Sequence, residues 1–122
     1  MKNRPFKFRV WDKLTKKFTP PWTNIETIAN NDEFVVQQYI GMDDMYDKEI
    51  YEGDILEYYI GEGYNSHGPY YIEIRYERFR FCKVEVGSDD TDNLYYIEDS
   101  RVVGNIFELP EYYEQYKNRN KR

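Results

Sequence analysis

Residues 38–60 hold two strand-forming runs broken at set places by glycine, and this limits the fold more than any other stretch of the chain. Tyr39 and Ile40 close one apolar run and Gly41 follows; Glu52-Gly53-Asp54 repeats the device before Ile55 opens the next run. Glycine takes a positive φ without steric penalty, and a neighbouring aspartate bonds nearby amides, so each break reads as a sharp exit from a strand. With strands recurring at short intervals between such turns, the expected fold is mainly β: a small, strongly bent barrel or barrel-like sheet of the SH3-like type.

The flanking sequence continues the pattern. Phe6, Phe8 and Val10 alternate with Lys7 and Arg9, the period of a half-buried strand whose cations face water. Trp11 and Asp12 end that strand, a polar turn leads to Phe18 in a short hairpin, and Pro20-Pro21 stops regular pairing. Trp22 is expected to fold back as a lid, residues 25–28 to form a brief strand or helical turn, and residues 34–40 to resume β structure. A strand at residues 55–60 precedes a flexible loop at 61–69, and the longest β signal begins at Tyr70. There Ile72, Ile74 and Tyr76 share one parity, Phe79 and Phe81 the other, and Val84 and Val86 the first again. No uninterrupted strand buries such a set, so a turn or a bulge is required near Glu77 and Arg78. The last strand covers residues 101–107, with a bend or bulge at Gly104. Pro110 then opens a short carboxy-terminal helix, with acids near its start and Lys117 and Arg119 near its end, as the helix dipole favours.

A chain of 122 residues suits one core. Only 40% of it is apolar, counting 14 tyrosines, so aromatic rings must supply much of the buried area while their hydroxyls reach the rim. The net charge of −6 disfavours nonspecific attraction to DNA, RNA or anionic lipid. No apolar segment approaches the roughly 20 residues of a membrane span, and the first residues lack a signal-peptide core, so a soluble cytosolic protein with no membrane partner is expected. Cys82, the one cysteine, reads as an ordinary strand thiol, and His67, the one histidine, as a solvated loop side chain.

Three blocks stand in order along the chain: Phe8-Arg9-Val10-Trp11-Asp12, then Tyr39-Ile40-Gly41 followed by Lys48-Glu49-Ile50-Tyr51-Glu52-Gly53-Asp54-Ile55, then Val102-Val103-Gly104-Asn105-Ile106-Phe107-Glu108-Leu109-Pro110-Glu111. They resemble the opening strand, the central signature and the closing block of the YopX protein family, small proteins encoded largely by bacteriophages and prophages. Tyr46-Asp47 stands where the family commonly carries an Asn-Gly-like pair. The resemblance implies one YopX-like domain over residues 1–117, with 118–122 as a basic tail, and a place in the bacterial host cytoplasm. It implies no catalytic residues, because the family has no established activity to carry over.

Two constellations carry the functional expectations. The first is the acidic group Asp43, Asp44, Asp47, Glu49, Glu52 and Asp54. An EF-hand loop starting at Asp43 would need an oxygen ligand where Met45 stands, glycine where Lys48 stands and glutamate where Asp54 stands, and Asp89 to Asn93 is followed by Leu94 where glycine is required. No metal and no cofactor is therefore expected, and the acids read either as solvated turns or as a docking surface for a basic protein. The second is the run containing Arg75, Arg78, Arg80 and Lys83, where cations interleave with Tyr76, Phe79 and Phe81 as on single-strand nucleic-acid surfaces. Simple strand alternation, with Phe79 and Phe81 buried, accounts for the same pattern.

No nucleophile elbow, phosphate-binding glycine loop or zinc-ligand spacing occurs. The expected function is a noncatalytic phage accessory protein that binds an unidentified bacterial protein, such as a nucleic-acid-handling or defence factor. Nucleic-acid binding through residues 75–83 is the alternative, and exposed tyrosines with open strand edges also favour a homo-oligomer.

Overall fold

The computed structural model describes residues 6–20, 24–28, 30–88, 90–95 and 97–108 with the single positions 114 and 118, and the side chains at 25 and 27 are not among those described. In chain order the elements are β1 (Phe8–Asp12), β2 (Lys17–Phe18), α1 (Ile25–Ile28), β3 (Phe34–Asp43), β4 (Glu49–Tyr51), β5 (Asp54–Ile60), β6 (His67–Glu77), β7 (Arg80–Glu85), β8 (Thr91–Asp92) and β9 (Arg101–Asn105). The protein is mainly β. One sheet has the order β2-β1-β3-β4 and the other β8-β7-β6-β5-β9, every pairing antiparallel. The architecture is a curled half-barrel of two sheets rather than one closed ladder. Among the described residues no helix is long and apolar enough to cross a membrane.

The two glycine breaks behave differently. At Gly41 the chain does not leave the strand: β3 runs on to Asp43, and Gly41 (φ +87°) sits where the β3–β4 register shifts between Tyr39 and Asp43. A bulge has absorbed the irregularity. Gly53 is the true reversal, joining β4 to β5 and hence the two sheets. Its φ is +86°, its N–H donates to the Ile74 carbonyl at 2.7 Å, and its own carbonyl accepts from Ile106 N–H at 3.0 Å. A Cβ here would lie 2.0 Å from Gln37 Nε2, so no other residue fits without displacing that side chain.

The core has two parts because the five-stranded sheet is covered on both faces. Ile50, Leu56, Ile72, Ile74 and Ile97 pack between the sheets, with Ile40, Met42, Tyr58, Leu94 and Val102 around them. Ile55, Tyr71 and Val86 form the second cluster on the opposite face, under Val103 and Ile106. This two-sided burial explains why β6 is buried without interruption from Tyr70 to Ile74 instead of alternating. It also requires Glu73 to be paired, and Arg75 holds both of its oxygens, at 3.1 and 3.2 Å.

Several expectations need correcting. Arg9 does not face water. Both parities are buried toward the end of β1: Val10 is inside as the alternation implies, and so is Trp11 at the parity of Arg9, edge-on to Phe18 at 5.0 Å and stacked on Phe107 at 5.7 Å. Phe6 and Phe8, expected on the buried side with Val10, are exposed. Residues 61–69 are not all loop, since β6 begins at His67, whose Nδ1 lies 2.8 Å from the Tyr70 hydroxyl. The parity change after Tyr76 is a two-residue turn, Arg78-Phe79, which leaves Phe79 exposed at its tip and not in the core. In β9 the irregular residue is Val103, opposite the Ile55–Leu56 step, one position before Gly104. Trp22 and the carboxy-terminal helix expected after Pro110 lie outside the described residues.

Candidate functional site

The hairpin between β3 and β4 projects the acidic signature. Asp44 N–H donates to the Lys48 carbonyl at 2.8 Å, Asp47 N–H to the Asp44 carbonyl at 3.1 Å, and Asp47 adopts φ +62°. A tight turn closed by a left-handed residue results, and aspartate is one of the few residues besides glycine that occupies that region readily. The Asp44 carboxylate fixes it in place: Oδ1 accepts from Tyr46 and Lys48 N–H at 2.8 and 2.9 Å, and Oδ2 accepts from Val102 N–H on β9 at 2.8 Å. Burial opposes ionisation of this carboxyl, but the three amides from Val102, Lys48 and Tyr46 outweigh it and hold Asp44 below the usual carboxylate range. Met45 N–H adds a bond to the Ser100 carbonyl at 2.9 Å. The result is a rigid protrusion on which Met45 is 55% and Tyr46 69% exposed, between the exposed Asp43 and Asp47.

The six expected acids therefore divide. Asp43 is at the surface and accepts the Tyr39 hydroxyl at 2.7 Å; that bond, together with the burial of Tyr39, pushes the phenol up to about 12. Asp47 is exposed, and Glu49 is half-buried and paired with Lys7. Glu52 is half-buried and turned back on its own hairpin, accepting Gln38 N–H at 2.9 Å. Asp44 and Asp54 are inside the protein and cannot belong to an exposed surface.

Asp54 instead joins the two sheets. Its carboxylate is 1% exposed; Oδ1 accepts from Arg9 Nη2 at 2.6 Å and Oδ2 from Tyr51 N–H at 2.8 Å. Arg9 also donates through Nε to Gln37 Oε1 at 2.9 Å, and its guanidinium lies between the Phe18 and Tyr51 rings, 4.5 and 4.7 Å from their centroids. Burial pushes the Asp54 carboxyl up, and Arg9 with the Tyr51 amide pulls it back only in part. This group is structural. Sequence reading missed Arg9 and Gln37, although Trp11 at the same parity as Arg9 was a signal that this side of β1 faces inward.

The basic residues do not form one surface. Residues directly opposite in a ladder share a face, and the register pairs Arg75 with Cys82, Glu77 with Arg80, and Ile74 with Lys83. Arg75 and Arg80 thus lie on one face and Lys83 on the other. Arg75 is also held by Glu73 and Glu77, the Glu73 bonds first, which raise its pKa further above the usual arginine range. Arg80 donates to Asn93 Oδ1 at 3.2 Å and Thr91 Oγ1 at 3.4 Å, and Lys83 to the Tyr95 carbonyl at 2.9 Å. Arg78 stands at the hairpin tip beside Phe79. Cys82 is buried, and desolvation pushes its thiol up, the opposite of what a reactive thiolate needs. Among the described residues no group of three or more His, Cys, Asp or Glu is placed to hold a metal ion.

A search of curated proteins gives no match. Among solved structures the chain is similar to the crystal structure of protein EF1440 from Enterococcus faecalis, with 26% identity and a TM-score of 0.60 over 89% of this chain and 98% of that one. A family model described as YopX protein matches residues 19–114.

Proposed function

Because the chain belongs to the YopX protein family, we propose that it is a noncatalytic accessory protein of phage or prophage origin that binds another protein in the bacterial host cytoplasm. The observation that carries the reading is the residue 43–48 turn. A buried carboxylate spends three hydrogen bonds on holding it rigid, and it displays Met45 and Tyr46 between two carboxylates. Aromatic and methionine side chains on a pre-organised support are good anchors at protein interfaces, since little side-chain and loop entropy remains to be lost on binding. The flanking carboxylates fit a partner with a basic groove, such as a host nuclease or another nucleic-acid-handling or defence factor, and steer its approach.

The test is affinity capture from bacterial lysate with three baits: the wild type, Tyr46→Ala with Asp43→Lys and Asp47→Lys, and Arg78→Glu with Arg80→Glu. The wild type and the arginine variant should retain the same partner, and the turn variant should lose it. Asp44 is left intact because its loss would unfold the turn. No reproducible partner at several salt concentrations, or equal retention by all three baits, rejects the reading. Nucleic-acid binding retains only the hairpin tip of the expected basic face, and a wild type that binds no single-stranded or duplex probe at low salt rejects that alternative.

A further inference from the structure

The turn between β6 and β7 is built against local preference. Arg78 and Phe79 have φ of +51° and +66°, the pair of left-handed residues that a two-residue hairpin turn requires and that Asn-Gly ordinarily supplies. A bulky aromatic there is strained. Phe79 is nonetheless 95% exposed, so no packing within the described residues compensates the strain. Behind the tip, Tyr76 and Phe81 meet edge to face at 5.1 Å, and Tyr76 is itself exposed.

The same β6–β7 ribbon carries a cavity of about 660 Å³ at its other end. Its floor is apolar, with Ile72, Ile97 and Tyr58, and its rim carries the carboxylates of Glu85, Asp90, Asp92 and Asp99. The cation on its wall, Lys83, is engaged with the Tyr95 carbonyl. An apolar floor under an acidic rim suits a group with an aromatic body and a cationic arm. The Arg78-Phe79 tip is such a group. It cannot reach the cavity of its own chain: Ile72 and Glu85, which line it, are a cross-strand pair five residues down the ribbon from the Glu77–Arg80 pair that closes the hairpin, about 17 Å at the rise of a strand.

We propose that this surface is a self-association interface, in which the Arg78-Phe79 tip of one copy enters the acidic cavity of a second. Tyr76 and Phe81 stand opposite each other in register, on the face of the ribbon that also bears Ile72, Ile74 and Lys83. Two copies that exchange tip for cavity make the same contact twice, a closed twofold arrangement. The inference does not depend on the partner-binding reading, whose residues lie on the β3–β4 turn.

Sedimentation of the full chain over a concentration series up to about 1 mM tests it. The wild type should form a dimer. Replacing the tip by the preferred pair, Arg78→Asn with Phe79→Gly, should raise the melting temperature, since it relieves the turn, and weaken the dimer at least about tenfold. A loss of folding cannot mimic that combination. Charge exchange gives a second check: Arg78→Glu alone and Asp90→Lys with Asp99→Lys alone should each be monomeric, whereas their equimolar mixture should associate because tip and cavity are again complementary in both directions. A wild type that stays monomeric throughout, an Asn-Gly variant that dimerises like the wild type, or a tip that binds single-stranded oligonucleotide while the protein stays monomeric overturns the proposal.

Discussion

Replacing Arg9 by methionine keeps the aliphatic stem that packs beside Phe18 and Tyr51 and removes the charge that Asp54 faces. Methionine leaves a carboxylate with 1% exposure and only the Tyr51 N–H, at 2.8 Å, as a donor. Removing one member of a buried ion pair costs about 3–5 kcal/mol, and the two lost ring contacts, at 4.5 and 4.7 Å, are each worth about 0.5–1 kcal/mol within that sum. Arg9 is only half-buried, which places the expected loss near the lower end, about 3 kcal/mol. Protonation limits it. Burial already raises the Asp54 carboxyl, and without Arg9 it rises further. A carboxyl whose folded-state pKa lies above its unfolded value favours the folded state increasingly as pH falls, so the deficit of Arg9→Met should be largest at neutral and alkaline pH. It should shrink by up to about 1.4 kcal/mol per unit as the pH drops toward the unfolded value near 4.

Urea unfolding of the wild type, Arg9→Met, Asp54→Asn and the double variant at pH values from about 5 to 8 measures both effects. Asparagine still accepts the Tyr51 amide, so Arg9→Met should cost about 2 kcal/mol less in that background than in the wild type. A loss under about 1 kcal/mol at pH 7 would mean that the pair behaves like a solvated surface bridge. A deficit independent of pH would mean that Asp54 does not titrate in the variant. Either result refutes the account of how the sheets are joined.

What could be read from the sequence was what neighbouring residues decide among themselves. The β class, the short hairpin to Phe18 and the break near Glu77 follow from parity and turn chemistry within a few positions. The inward Arg9 does not, because Phe8 and Val10 suggest one buried side and Trp11 the other, and β1 buries both at Val10 and Trp11, the latter against Phe18 and Phe107. The acids of the signature look alike in sequence. Asp44 separates from Asp43 because an amide 58 positions away, that of Val102, is brought to it by β9. Asp54 separates from Glu52 because β1 delivers Arg9. At Arg78-Phe79 parity alone locates the break and leaves turn or bulge open: the residues contradict the conformation they adopt, so turn propensity points away from the place where parity demands a turn.

Gly53→Ala should destabilise the protein by about 2–4 kcal/mol, the left-handed backbone adding to a Cβ that displaces Gln37, and a melting-temperature change equivalent to less than 1 kcal/mol would contradict the structure around that reversal. Gly41→Ala, with a similar φ of +87° but open space at its Cβ, should cost only about 1–2 kcal/mol by the same measurement. For Asp44→Asn the expectation depends on pH. The Asp44 carboxyl is depressed in the folded state, so the stability it contributes is fully present above the unfolded value near 4 and is lost as pH falls through the lower folded value. Asparagine offers one acceptor oxygen where the carboxylate serves three amides on two oxygens, so at least one half-buried N–H is left unpaired at a cost of about 1–3 kcal/mol at neutral pH. In acid the wild type forfeits the same advantage, and the two unfolding free energies should converge as pH falls through the depressed folded value; curves that stay parallel from neutral pH into acid would show that the amides around Asp44 do not depend on its charge.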